Sequence, residues 1–138
     1  MYLTFPAGST FLLPTPPNYK IFHLFILIAV EKNTGRGLIV NVTTHRAGRD
    51  ESCILIPGDH PFVKHKSVIN YEYSRIIFIS DLKQYLLVDQ LKLSDPVNPE
   101  LLKRIQQRGM ESKVIENKCR NFLASYMNEE VISDDFKN

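Results

Sequence analysis

The run Thr43-Thr44-His45-Arg46 places hydroxyl, imidazole and guanidinium groups side by side, directly after a β-rich segment. Metal-free cleavage of RNA through its own 2′-hydroxyl needs a base for the hydroxyl proton, an acid for the leaving oxygen and a cation for the phosphate. Histidine suits the two proton-transfer roles because an unperturbed imidazole has a pKa of about 6.5. Arginine suits the third role because its fork matches phosphate. The run therefore predicts a candidate catalytic site, with a solvated turn at His45-Arg46 as the alternative.

Two further histidines, His60 and His65, follow in the chain and could supply a second imidazole to this site. Asp59 beside His60 also suggests a metal site. However, Gly58-Asp59-His60-Pro61 is typical of a turn in which the aspartate binds backbone amides and the proline directs the exit. Because no third and fourth ligand follows at a recognisable zinc spacing, we predict no metal site and no cofactor.

Positive charge is concentrated in one segment of the chain. The net charge is only +2, but residues 20–75 hold eight lysines and arginines against five acids, together with all four histidines. A basic face attracts phosphate backbones, and a solvated mixed surface is the alternative. We predict that four residues contact RNA: Lys20, His23, Lys64 and Lys66. His23 lies in an apolar run, so it has a second interpretation as a half-buried, hydrogen-bonded histidine.

The composition is that of an ordinary globular protein. Hydrophobic residues make up 43% of the 138 residues and charged residues 23%, which suffices for one core and predicts a single domain over 1–138. The longest apolar run, Ile21–Val30, is about half the length of a membrane-spanning helix, and the N-terminal residues lack a secretory signal pattern. Cys53 and Cys119 fit no disulfide or metal-ligand spacing. We therefore predict a soluble, cytoplasmic protein with reduced, buried thiols and no membrane association.

Residues 8–93 read as short strands separated by turn signals, which is typical of a small antiparallel β-barrel. The segment Ile21–Val30 is almost continuously apolar, so both of its faces should be covered for part of its length. Lys32-Asn33-Thr34-Gly35 predicts a hairpin turn. The β-rich runs are Thr10–Leu13, Ile21–Val30, Leu38–Val42, Ser52–Ile56, Ser67–Tyr71 and Arg75–Ser80. The pattern of residues 85–93 fits either a strand or a helix.

Residues 94–127 predict helices that follow the barrel. Asn98 can cap a helix whose first residue is Pro99, and Gly109 is expected to interrupt it. A second helix then carries one apolar stripe: Val114, Ile115, Cys119, Phe122, Leu123 and Tyr126. This stripe should pack on the barrel or on a second subunit. The polar and acidic residues 128–138 predict a mobile tail.

Three segments resemble the PemK/MazF-type toxin superfamily, in particular an uncharacterised PemK-like branch. They are HLFILIAV at 23–30, LIVNVTTHR at 38–46 and CILIPGDHPFVKHKSVINY at 53–71, the last of which contains a GDHPF-x-x-H motif. The resemblance covers most of residues 8–110. It implies a mainly β fold, a small SH3-like antiparallel barrel with C-terminal helices. It also implies a homodimeric, metal-independent endoribonuclease that cuts single-stranded RNA, in a toxin–antitoxin or phage-defence setting with a possible antitoxin partner.

In that superfamily the active site pairs an arginine of the first long loop with a Ser or Thr at a strand end. The hydroxyl matches Thr43 here, with Thr44 as the adjacent alternative. The arginine has no counterpart, because residues 16–23 read PPNYKIFH where the family carries a basic R-G-x-R-P segment. Three hypotheses follow: a toxin-like ribonuclease, a non-catalytic barrel that binds RNA or protein, and a domain that mainly oligomerises through its C-terminal helix.

Overall fold

Six antiparallel strands form one curled sheet, a half-barrel that three helices accompany. A computed structural model of the protein describes residues 5–15 and 18–136. The strands are β1 (Thr10–Thr15), β2 (Asn18–Glu31), β3 (Arg36–Thr44), β4 (Ile54–Leu55), β5 (Ser67–Phe78) and β6 (Lys92–Ser94). The helices are α1 (Ile79–Leu87), α2 (Pro99–Glu111) and α3 (Asn117–Phe136).

The spatial order of the strands is β4-β5-β3-β2-β1-β6, and every neighbouring pair is antiparallel. The predicted hairpin between β2 and β3 is confirmed. Its turn closes where the Gly35 amide donates to the Glu31 carbonyl at 2.9 Å, and Gly35 has a φ of 71°. That left-handed conformation is one that glycine adopts without a steric penalty.

Side chains of β2 alternate between two apolar cores, one on each face of the sheet. Leu24, Ile26 and Ile28 join the larger core beneath α2 and α3, whereas Leu27 faces a smaller core on the other side. The expectation that this apolar strand is covered on both faces is therefore confirmed. On β3, Leu38, Val40 and Val42 join the larger core and Ile39 the smaller one, as the two-residue period of a strand requires.

Strand β5 is one continuous strand where the sequence predicted two separate β-rich runs. The predicted run Ser67–Tyr71 and most of the run Arg75–Ser80 form one strand that ends at Phe78, and the last two residues of the second run begin α1. Asn70 lies opposite Asn41 and Arg75 opposite Ile39, so β5 has four residues, 71–74, between these pairs where β3 has only Val40. Such a bulge bends a strand and increases its twist. The curl of the sheet follows in part from this irregularity, which the hydrophobic pattern did not reveal.

A buried histidine connects the two edges of the curled sheet. His60 lies in the segment after the edge strand β4 and is 3% exposed. Its Nε2 lies 2.6 Å from the carbonyl oxygen of Asp95, which follows the other edge strand, β6. The Thr10 hydroxyl donates to the same carbonyl at 2.6 Å. The turn predicted at Gly58-Asp59-His60-Pro61 is confirmed, since Asp59 accepts the Ile56 amide at 2.9 Å.

The sequence pattern of residues 85–93 fits either a strand or a helix, and the structure has part of each there. Helix α1 runs through Tyr85 to Leu87, Asp89 takes a φ of 60°, and β6 begins at Lys92. Strand β4 is shorter than the predicted Ser52–Ile56 and comprises Ile54–Leu55.

The C-terminal helices follow the prediction with two differences. Asn98 caps α2 by accepting the Leu101 amide at 2.8 Å, as expected. Gly109 does not interrupt α2, which continues to Glu111. Helix α3 starts at Asn117, after the first two residues of the predicted stripe, and buries Cys119, Phe122 and Leu123. It extends to Phe136, through most of the segment expected to be a mobile tail; residues 137–138 lie outside the described part of the chain.

Among the residues that the structure describes, no helix combines the length and the apolar character needed to cross a lipid bilayer. Cys53 and Cys119 are both free and buried, as predicted.

Candidate functional site

The C-terminal end of β3 carries the two predicted threonines. Thr43 and Thr44 remain in register with β5, opposite Val68 and Ser67. Because consecutive side chains of a strand point to opposite faces, the two hydroxyl groups project to the two sides of the strand end. Each hydroxyl holds a different functional group.

Thr44 pairs with an imidazole. A hydrogen bond of 3.0 Å joins its Oγ1 to Nε2 of His65, and both side chains are exposed. His65 lies just before β5, so the antiparallel pairing of β3 with β5 brings the two residues together across 21 positions of sequence. The predicted partnership of His65 with the threonine run is therefore present in the fold.

Thr43 pairs with a guanidinium. Nη1 of Arg49 donates to its Oγ1 at 2.8 Å. Residues 46–49 form a turn that brings Arg49 back towards Thr43. In this turn the Arg49 amide donates to the Arg46 carbonyl at 3.2 Å. Gly48, the third residue of this turn, has a φ of 87°, a left-handed conformation that favours glycine. Sequence reasoning missed Arg49, although the glycine before it was a signal that the loop doubles back.

His45 turns inward beside an acid. Its side chain is 22% exposed, and its Nε2 lies 3.5 Å from a carboxylate oxygen of Glu51 without a hydrogen bond to any described residue. Its backbone amide donates to the Lys66 carbonyl at 3.1 Å. This inward orientation makes His45 less accessible to a large substrate than the exposed His65.

Asp50 anchors the loop that carries Arg49. One carboxylate oxygen accepts the Ser52 amide and hydroxyl, and the other accepts the Ser112 hydroxyl at 2.7 Å. Burial by itself would raise the pKa of Asp50, but the hydrogen bonds from the two serines outweigh it and leave the pKa below its usual value. Since Ser112 follows α2, this anchor fixes the loop against the helical layer.

The remaining predicted residues are spread over three places. Arg46, Lys64 and Lys66 are exposed near the strand end, and the Arg46 side chain makes no hydrogen bond or ion pair with the described residues. Lys20 and His23 lie on β2, in a part of that strand that pairs with β1.

His60 is engaged elsewhere. Its Nδ1 accepts the Phe62 amide at 3.0 Å, while Nε2 faces the Asp95 carbonyl. Both ring nitrogens are thus occupied, the first as an acceptor and the second as a donor. None of the described contacts connects His60 with the threonine run.

Neither a metal cluster nor a reactive thiol accompanies this site. Within residues 5–15 and 18–136, no three His, Cys, Asp or Glu side chains are grouped to hold a metal ion. Burial raises the pKa of the Cys53 thiol, and the nearby guanidinium of Arg104 offsets this only in part. A thiol with a raised pKa stays protonated near neutral pH and is a poor nucleophile.

Compared with models of known protein families and with curated protein sequences, the chain has no match. Its function must therefore be inferred from the arrangement of its own residues.

Proposed function

We propose that the protein is a toxin-like, metal-independent endoribonuclease that cleaves single-stranded RNA at the end of β3. One observation carries the proposal: the consecutive hydroxyls of Thr43 and Thr44 hold a guanidinium and an imidazole, at 2.8 and 3.0 Å. A hydroxyl fixed to each group limits its rotation, so base and cation are oriented before substrate binds. Arg49 lies in the loop after β3, not in the first long loop where the PemK/MazF resemblance places the arginine, so it would supply that cation from a different position.

In the proposed reaction, His65 takes the proton from a ribose 2′-hydroxyl. The 2′-oxygen forms a bond to the phosphorus, and the bond from phosphorus to the 5′-oxygen breaks. The products are a 2′,3′-cyclic phosphate and a 5′-hydroxyl, whose proton comes from solvent or from a flanking lysine ammonium. Arg49 stabilises the charge that develops on the phosphate oxygens, because a guanidinium can donate two parallel hydrogen bonds to them.

The exposed cations around the strand end support binding of a polyanion. Arg46, Lys64 and Lys66 are all exposed, and lysines and arginines that neutralise phosphates contribute affinity that weakens with salt. Because the two threonines project to opposite faces, the scissile phosphate has to lie over the end of the strand. His45, whose Nε2 lies 3.5 Å from the Glu51 carboxylate, has no proton-transfer role in this proposal.

The fold supports a wider set of proposals. The curled sheet with helices after it agrees with an SH3-like barrel of the PemK/MazF type, and on that basis we propose a cytoplasmic homodimer that an antitoxin protein controls. The alternative of a non-catalytic barrel that binds RNA or protein is an outcome of the experiment below.

The experiment uses a pool of single-stranded RNA with purified wild-type protein and two variants, Arg49→Ala and His65→Ala. Loss of one group that stabilises the transition state typically lowers the rate about a hundredfold or more, so each variant should cleave at least about a hundredfold more slowly. EDTA should leave the wild-type rate unchanged, since the proposed mechanism uses no metal.

Arg108→Ala serves as the matched control. Arg108 is an exposed arginine of α2 that pairs with Glu111 at 3.1 Å, so its loss should not affect cleavage. Wild-type protein that binds the RNA but leaves it uncut would favour the non-catalytic barrel. Cleavage that survives both Arg49→Ala and His65→Ala would contradict the proposed site.

A further inference from the structure

A cavity lies beside Arg49 of the Thr43–Arg49 pair and beside residues 68–73 of β5. It encloses about 290 Å³, and its lining includes Arg49, Asp50, Asn70, Glu72, Tyr73 and Val114. The lining comes from the anchored loop, from β5 and from Val114, which lies between α2 and α3. Arg49 therefore lines this cavity and also belongs to the proposed cleavage site.

The polar groups of this cavity are available to a ligand. The side chains of Asn70 and Glu72 make no hydrogen bond or ion pair with any described residue. Asp50 is different, since the two serines already occupy its carboxylate. The Glu72 carboxylate therefore favours a group that offers N–H donors.

An aromatic surface completes the cavity. Tyr73 is 58% exposed, and the guanidinium carbon of Arg75 lies 5.6 Å from the centre of its ring. Unpaired bases of single-stranded RNA stack on aromatic rings and on guanidinium planes, and they are recognised through hydrogen bonds to their free edges. A flat, stacking ligand with N–H donors on its edge fits these walls.

We infer that this cavity binds a guanine base of the RNA, next to the scissile phosphate. Guanine is the base whose Watson–Crick edge presents adjacent N1–H and N2–H donors, which match the two oxygens of the Glu72 carboxylate. Its O6 and N7 acceptors match a guanidinium such as that of Arg49. Adenine and cytosine each present one amino donor beside an acceptor, and uracil one N–H between two acceptors. The inference rests on the proposed function, for which it names the sequence preference.

The first test measures binding of the four nucleoside 5′-monophosphates by calorimetry and by amide chemical shifts, which need no cleavage. GMP should bind at least tenfold more tightly than AMP, CMP or UMP and should shift the amides of Asn70, Glu72 and Tyr73. Glu72→Gln should weaken GMP binding at least tenfold, whereas Glu111→Gln, an exposed acid on α2, should not change it.

The second test sequences the cleavage products of a random RNA pool. Wild-type protein should cut beside guanine, and Glu72→Gln should cut at those positions at least tenfold less. GMP binding without any cleavage would leave the cavity in place and contradict the proposed ribonuclease. Cleavage with no base preference, together with equal or absent binding of all four nucleotides, would overturn the guanine site and leave the ribonuclease standing.

Discussion

At the scale of single residues, hydrogen bonds fix the orientation of the functional groups at the end of β3. The residue types alone do not determine that orientation. Thr43 and Thr44 orient Arg49 and His65, and Asp50 fixes the loop on which Arg49 lies. The sequence run Thr43–Arg46 directed attention to this part of the chain. It did not reveal Arg49, because a guanidinium six positions away reaches the threonine only after the turn at Gly48.

The anchoring of Asp50 predicts a pH-dependent contribution to stability. Its pKa is lower in the folded protein than in the unfolded chain, where it is about 3.9. The stabilisation is therefore complete above that value and is lost as the pH falls through the lower, folded-state pKa. At pH 7, Asp50→Asn should lower the free energy of unfolding by about 1 kcal/mol, since solvent screens a partly exposed group.

Urea unfolding of both proteins at pH 7 and near pH 3 checks this prediction. The difference between wild type and Asp50→Asn should shrink at the lower pH. Glu129→Gln, which removes an exposed acid of α3, should show no such change. A difference that grows towards acid pH would contradict the assigned direction of the pKa shift.

At the scale of the elements, Gly109 determines how closely α2 approaches the sheet. A Cβ atom at this position would lie 3.0 Å from Cδ2 of Leu123 and 3.0 Å from Cε1 of Tyr71. Tyr71 cannot easily move, because it is fully buried and its hydroxyl donates to the Ile105 carbonyl at 2.6 Å. The glycine that reads as a helix breaker is thus a contact point between helix and strand.

Gly109→Ala should therefore destabilise the protein. Alanine favours a helix over glycine by about 1 kcal/mol, but overpacking of a dense core typically costs about 1–3 kcal/mol. We expect a net loss of about 1 kcal/mol in the free energy of unfolding, measured by chemical denaturation. Gln107→Ala, an exposed change in the same helix, should have little effect. A Gly109→Ala protein more stable than wild type would show that Tyr71 and Leu123 adjust freely.

At the scale of the whole molecule, His60 keeps the two edges of the curled sheet together. Its imidazole spans from the segment after β4 to the Asp95 carbonyl after β6, which fits a structural role. The exposed His65, five residues later, fits a chemical one. For the proposed ribonuclease, we expect His60 to contribute to stability and His65 to activity.

Substitution of each histidine by alanine tests this separation. His60→Ala removes a buried side chain and two hydrogen bonds, so it should lower the free energy of unfolding by about 3 kcal/mol. His65→Ala should unfold like wild type and lose cleavage. Thermal and urea unfolding, combined with the RNA assay, distinguish the two. Loss of cleavage in His60→Ala without loss of stability would assign His60 to the chemistry instead.

Interactions between residues close in sequence made much of this architecture predictable. The apolar run of β2, the turn before β3 and the Asn98-Pro99 helix start are short-range signals, in which a few adjacent residues determine the backbone. They were confirmed because no distant contact opposes them. The end of the third strand was predicted two residues too early, at Val42, because pairing with β5 extends β3 to Thr44.

Only the tertiary structure decided the features that depend on contacts between distant segments. The bulge at residues 71–74 arises from the pairing of β5 with β3, and the helical conformation at Gly109 is compatible with close packing on Tyr71. His60 is buried against the Asp95 carbonyl and His65 is exposed beside Thr44, although the two lie five residues apart in one motif. A sequence pattern contains residue types and spacing, whereas burial and hydrogen-bond partners are set by the folded chain as a whole.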